Sequence, residues 1–332
     1  SIEGGPLSLV DGSKTFPDSE RKNLGVYIQD AITFENGVRL TPALRYTYDR
    51  MSPKIDAAYM ASTPKKMPER FSDSAVSPSI SLSVPLAKET TGFLAYSTGF
   101  RTPPFDTSMM SFANLNSGYQ ILPNADLKSE SSQSLEVGFR HKSSDLEAKA
   151  TVFYNRYKDF IERVALAPEE LGGREISTWT HDNVGRVNTY GFEASAAYRV
   201  MPNWQVNGAV SWMRGKNKDT GKPLDSAQPP KLMLGVGYDN AVWGANVDWT
   251  LVAKKDRVSD DSYVETAGYG VVDATMFWNI NKNAKLNVGV YNIGNKKYWD
   301  YVDVVGMAAS SSSLDYYTRP GRSVAAAVQI KF

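Results

Sequence analysis

The chain has 332 residues, a net charge of +1, no cysteine and two histidines, beside 18 Tyr, 13 Phe and 7 Trp. Near-neutral charge with dispersed arginines offers no stripe for nucleic acid, the lack of Cys removes disulfide and thiolate chemistry, and two His leave zinc sites and Ser–His–Asp triads little to draw on. No run approaches about 18 consecutive apolar residues, so no transmembrane helix is expected; barrel strands alternate and escape that criterion.

In chain order, alternating segments of barrel-strand length are predicted over 22–34, 38–49, 77–85, 90–99, 131–141, 145–157, 184–200, 204–214, 231–239, 242–254, 268–279, 284–294 and 322–332. Period two marks a strand whose two faces meet different surroundings. Leu135, Val137 and Phe139 oppose Glu136 and Arg140; Trp204, Val206, Val210 and Trp212 oppose Gln205, Asn207 and Ser211; Ala245, Val247, Trp249 and Leu251 oppose Asn246, Asp248 and Thr250. The final segment alternates Val324, Ala326, Val328, Ile330 and Phe332 against Ser323, Ala325, Ala327, Gln329 and Lys331, and a terminal Phe suits a membrane interface. One face is apolar and aromatic and the other polar, which suits lipid outside and water inside better than a sandwich core.

The connections alternate between short and long. Short ones hold Glu35-Asn36-Gly37, Leu86 to Glu89, Lys142 to Ser144, Met201-Pro202-Asn203, Asn240-Ala241 and Asn281-Lys282-Asn283, with the residues that tight hairpins need. Long ones cover 50–76, 100–130, 158–183, 215–230, 255–267 and 295–321. This is the asymmetry of an outer-membrane barrel, with short periplasmic turns and long extracellular loops. The expected fold is therefore all-β, a transmembrane antiparallel barrel with about 13 strands in this chain. Single-chain bacterial barrels are even-stranded, and the chain opens at Ser1 without a signal peptide. The expectation is an incomplete barrel, residues 1–332 forming its C-terminal portion.

Several segments resemble TonB-dependent outer-membrane receptors. They are Leu24-Gly-Val-Tyr-Ile-Gln-Asp30, Tyr154-Asn-Arg-Tyr-Lys-Asp-Phe-Ile161, Asn183-Val-Gly-Arg-Val-Asn-Thr-Tyr-Gly-Phe-Glu193, Tyr291-Asn-Ile-Gly-Asn-Lys-Lys-Tyr298 and the terminal strand. Within that family, Phe100-Arg-Thr-Pro103 and Pro123-Asn-Ala-Asp-Leu127 resemble the boxes that bracket a loop in haem and haemoglobin receptors, and Tyr298-Trp-Asp-Tyr301 and Arg319-Pro-Gly-Arg322 are similar to that group. The resemblance implies the later strands of a 22-stranded, plugged barrel, with the plug and the TonB-contacting segment upstream. It implies haem, free or on a carrier protein, as a transported ligand rather than a catalytic cofactor, and TonB and outer-membrane lipid as partners. A ferric-siderophore receptor is the alternative within transport; a porin or a soluble binding sandwich lies outside it.

Two departures matter. The second box is altered, and the loop between the boxes lacks the His that many haem receptors place there. Tyr119 is the one Tyr between the boxes, and a phenolate is an accepted axial ligand of haem iron. Tyr119 is therefore the candidate iron ligand, against a solvated loop aromatic. His181 lies in a long loop and is the alternative ligand, whereas His141 sits at a short turn, far from any extracellular site. Met109, Met110 and Phe112 are candidates for packing on a porphyrin face, against packing the loop on itself. Arg101 is a candidate propionate partner, against buttressing the strand end. Met307, Tyr316 and Tyr317 are a candidate second contact surface. Arg39, Arg45, Glu136, Arg140, Glu193 and Asp248 are expected to line the lumen. Glu169-Glu170 reads as a solvated pair and no phosphate-binding glycine loop precedes a helix, so no catalytic machinery is expected.

Overall fold

The structure is a computed structural model that describes residues 14–331 apart from 62–66, 115–117, 172–173 and 312. The terminal Phe332, and Asn116 and Ser117 before Tyr119, lie outside the described residues. Thirteen strands form one antiparallel meander in sequence order: Asp18–Gln29, Arg39–Lys54, Phe71–Ala87, Thr90–Arg101, Glu130–Lys142, Leu146–Lys158, Val187–Met201, Trp204–Asn217, Lys231–Asp239, Trp243–Val252, Tyr269–Asn281, Ala284–Tyr291 and Ser323–Ile330. The pair Ile32–Thr33 adds a short extension against the second strand. The first and last strands each pair on one side only, so the described sheet is an open wall.

Register explains why these sequences share one wall. Leu94, Val137, Val152, Phe192 and Trp212 lie opposite one another in turn across five strands. Farther along, Leu234, Trp249 and Val272 do the same. A one-residue slip in any pair would turn its apolar set to the other face. Six of these eight apolar side chains are exposed (Val152 63%), as is Val324 in the last strand at 69%, as a lipid-facing surface requires. The opposite face is largely polar, with Glu136 opposite Ala95 and Phe153, and Glu193 opposite Thr151 and Ser211. Arg39, Arg45, Arg140 and Asp248 fall on that same face.

Aromatic residues bound the apolar face at both ends. Trp204 meets Tyr238 edge-on at 5.1 Å and Tyr238 lies tilted against Trp243 at 4.6 Å near the short turns. Tyr190, Phe192 and Trp212 cluster at 5.8 and 6.0 Å near the long loops. Trp204 and Trp212 are separated by about 27 Å of strand; a tilt of about 40° reduces this to slightly over 20 Å, close to the height of a membrane-barrel apolar band.

The short turns carry the chemistry their sequences imply. Gly37, Glu89, Asn203 and Ala241 take positive φ of 80, 62, 68 and 70°, the backbone that tight hairpins require. Asn240 Oδ1 accepts from the Val242 and Trp243 amides at 3.1 and 2.9 Å, and Asn36 and Asn281 make similar bonds at 3.1 and 2.8 Å. His141 lies at this end, its Nδ1 2.8 Å from Thr90 Oγ1.

Buried apolar residues gather at the long-loop end. Val187, Leu224 and Ala227 form one core, with Tyr157, Phe160, Val184 and Met213 packed against it. Val264, Tyr301 and Val304 form another, with Trp299, Val305, Met307 and Leu314.

The long connections contain more structure than their polarity predicts. Residues 158–183, expected as a loop, hold a hairpin of Ile161–Leu171 and Arg174–Asn183. Tyr119–Ile121 adds parallel to its second strand, and Phe112–Asn114 pairs with Tyr119–Ile121, giving a four-stranded sheet. The expected loop 50–76 is shorter than read, because its flanking strands run to Lys54 and begin at Phe71. Met51, Ser52, Pro53 and Lys54 continue the ladder opposite Arg21, Glu20, Ser19 and Asp18; backbone pairing outlasts the alternation that marks it in sequence.

Candidate ligand-capture site

The four-stranded sheet at the long-loop end brings several predicted residues together. Alternation places Phe112, Tyr119, Trp179, His181 and Arg163 on one face and Gln120, Thr178 and Thr180 on the other. The second face is buried and satisfied: Gln120 Nε2 donates to Thr178 Oγ1 at 2.8 Å, and Thr180 Oγ1 to the Leu122 carbonyl at 2.9 Å. That locks the strands and leaves the first face to present its rings. Tyr119 stands 5.8 Å from the Phe112 ring and 6.2 Å from the Trp179 ring. The Arg163 guanidinium lies 5.2 Å above Trp179 and donates to the Val305 carbonyl, tying the hairpin to the loop that follows Tyr301.

No described residue is hydrogen-bonded to the Tyr119 hydroxyl. Such a phenol, flanked by two rings, can stack with a planar ligand or donate a hard oxygen to ferric iron. His181 Nδ1 is buried without a hydrogen-bond partner among the described residues. Burial first, then the Arg163 charge, holds its imidazole below the usual range, with Asp106 acting the other way. It is therefore neutral at pH 7 and chemically able to ligate a metal. Tyr119 pairs with Ser177, so His181 lies four residues farther, about 13 Å along the strand. The two cannot serve one iron atom from one position.

The other predicted residues have different surroundings. Arg101 Nε donates to the buried Glu130 carboxylate at 2.5 Å, and Glu130 also accepts the Ile161 amide at 2.6 Å. This is the buttress reading: the arginine fixes the strand end and the start of the hairpin. Met109 is buried at the end of the helix Phe105–Met109, where its Sδ receives the Ser19 hydroxyl at 3.4 Å and its carbonyl the Tyr59 hydroxyl at 3.5 Å. Met110 is half-buried beside it. Met307 packs into the Tyr301 core, while Tyr316 is 88% exposed and Tyr317 exposed. Sequence reading missed Trp179 and Arg163. The signal was present: Ile176, Thr178 and Thr180 alternate with Ser177, Trp179 and His181, a strand pattern inside a segment taken as loop.

Beneath this sheet three loops interlock with its strand Ile161–Leu171. Lys255 Nζ donates to the Ala227 carbonyl at 2.5 Å and lies 4.6 Å above the Tyr301 ring. Asp225 accepts the Ser259 amide at 2.7 Å and its hydroxyl. Glu162 receives the Ser226 amide at 3.4 Å. Burial, reinforced by the nearby Asp225 charge, pushes the Glu162 carboxyl up to about 7, with Ser226 and Lys255 acting the other way. A raised carboxyl favours the folded loops while protonated and loses that contribution as pH rises through about 7. Hydrogen exchange in residues 218–230, after correction for intrinsic rates, is expected to be faster at pH 8 than at pH 5.5. In Glu162→Gln that difference should shrink; a variant with the full wild-type pH dependence would assign it to another group.

A wall with one apolar face, aromatic borders, short turns at one end and a folded loop layer at the other defines an outer-membrane receptor barrel. The family profile described as TonB dependent receptor-like, beta-barrel, matches residues 3–293, and the chain belongs to that family, whose members are transport receptors of the bacterial outer membrane. Among curated relatives, the Hemoglobin-haptoglobin utilization protein B of Neisseria meningitidis serogroup C is 25% identical, over 89% of this chain and 42% of its own length. The Probable hemoglobin and hemoglobin-haptoglobin-binding protein 3 of Haemophilus influenzae is 24% identical, over 72% of this chain and 29% of its own. The chain thus spans less than half the length of these relatives. The solved structure of the Copper transporter OprC superposes with a TM-score of 0.76 at 20% identity, covering 95% of this chain and 50% of that one, a likeness of fold.

Proposed function

We propose that this chain is the C-terminal portion of the barrel of a receptor that takes haem, free or from a carrier protein, at its extracellular loops and imports it with energy from TonB. The observation that supports this reading is the Phe112–Tyr119–Trp179 row at the long-loop end, beside one relative named for haemoglobin and haemoglobin-haptoglobin binding and another named for haemoglobin-haptoglobin utilization. In this reading the long loops face the cell exterior, and the rings receive the planar ligand. Tyr119 supplies the iron ligand from the loop side. A plug encoded upstream carries the second ligand and the contact with TonB, and lipid surrounds the apolar face.

The alternative is a ferric-siderophore receptor. The Arg163 guanidinium above Trp179 supports it, since an aromatic–cation pair also suits an anionic aromatic chelate. The two readings separate in one experiment. The full-length receptor in detergent is titrated with haem and, in parallel, with a ferric catechol chelate. Saturable haem binding without chelate binding is expected; chelate binding without haem binding would replace the first reading by the second.

A further inference from the structure

At the long-loop end the apolar face of the wall changes character over three cross-strand rows. The first holds Leu135, Tyr154, Tyr190 and Arg214, whose guanidinium lies 5.4 Å above the Trp212 ring. The second holds Gln133, Arg156, Asn188 and Lys216. The third begins with Ser131 and Lys158 and continues to Arg186 and Lys218, joined by the Lys218 amide on the Arg186 carbonyl at 2.7 Å. The five cations of the second and third rows are all exposed, and no residue of the three rows is acidic. Four of the five, Lys216 excepted, rim a groove of about 710 Å³ that also takes in Val76, Pro78, Phe100 and Tyr154.

Only Arg186 is neutralised, by Asp219, whose Oδ1 accepts its Nη2 at 2.6 Å and its Nε at 2.9 Å. Arg156 rests 5.4 Å above the Tyr154 ring, and Asn188 fixes that Tyr hydroxyl at 2.7 Å. Arg156, Lys158, Lys216 and Lys218 have no ion pair among the described residues. In a chain whose net charge is +1, this is a local excess placed where a lipid-facing wall meets its loops. Like charges set this close repel one another unless a shared anion joins them. Guanidinium and ammonium groups are the two side-chain forms that recognise phosphate.

We infer that this patch is a binding site for the phosphate-bearing headgroup of an outer-leaflet lipid. The phosphate sits among Arg156, Lys158 and Lys218, and the lipid's chains run down the groove over Val76, Pro78 and Tyr154. The inference uses the orientation adopted for the proposed function but not its ligand, so haem binding and lipid retention fail independently.

The test is native mass spectrometry of the full-length receptor in detergent, supplied with a bisphosphorylated glucosamine lipid or with the same lipid after phosphatase treatment. Wild type should retain the phosphorylated form at least about tenfold better. The triple variant Arg156→Gln, Lys158→Gln, Lys218→Gln should lose that preference, while its heat-dependent gel mobility and haem titration stay unchanged. Lys282→Gln with Lys331→Gln, at the short-turn end, should retain the lipid as wild type does. Equal retention of both lipid forms by wild type, which needs no variant, would overturn the proposal. So would undiminished retention by the triple variant, or full displacement of the lipid by millimolar inorganic phosphate, which would identify a soluble anion instead.

Discussion

Leu234→Arg is expected to destabilise the barrel in the membrane by about 2–4 kcal/mol, the cost of a cation near the midplane of a lipid-facing strand. Leu234 pairs with Gly208, midway between Trp204 and Trp212, and with Trp249. Its neighbour Met233 points to the other face, opposite Ala209 and Thr250. Met233→Arg should therefore change stability by less than about 1 kcal/mol. Urea titration of the full-length receptor in lipid vesicles, followed by heat-dependent gel mobility, measures both. Equal effects from the two substitutions would contradict the sidedness on which the lipid and lumen assignments rest.

Tyr301→Ala should have a comparably large effect, about 3–5 kcal/mol, confined to the loop layer. Tyr301 is 1% exposed. It packs with Val264 and Val304 and carries Lys255 on its ring, so its loss opens a cavity and removes the cation's aromatic partner. Limited proteolysis should then cut within 253–268 and 292–322 while the wall stays intact. Tyr316→Ala, at an 88% exposed ring, should cut no faster than wild type. An intact loop layer in Tyr301→Ala would show that the loops are held by something other than this core.

The wall was legible because its determinants are local. Alternation over about ten residues selects a strand, and Asn, Gly and Pro between two strands select a turn; register then follows from keeping Leu94, Val137, Val152 and Phe192 on one face. The loop layer was less legible because its strands are short and held by non-local contacts. Tyr119–Ile121 is a strand because Phe112–Asn114 and Ser177–Trp179 lie on either side of it, and nothing in three residues announces a partner 58 positions away. Tyr119 was singled out by its place between two boxes, whereas the rings that flank it emerge from the pairing. Met109 and Arg101 illustrate the reverse case. Their chemistry suits a ligand, but burial beside Tyr59 takes Met109 out of reach and the ion pair with the buried Glu130 occupies Arg101. Residue type states what a side chain can do, and packing decides whether it faces anything to do it to.

The most direct test of haem capture through Tyr119 is the absorption spectrum of the haem-loaded full-length receptor, compared with Tyr119→Phe. Phenylalanine keeps the ring between Phe112 and Trp179 and removes only the oxygen. A ferric–phenolate band in wild type that disappears in Tyr119→Phe, with weaker haem binding, is the expected result. Wild-type haem binding with an identical spectrum in Tyr119→Phe would contradict it and shift the ligand to His181 or to the plug.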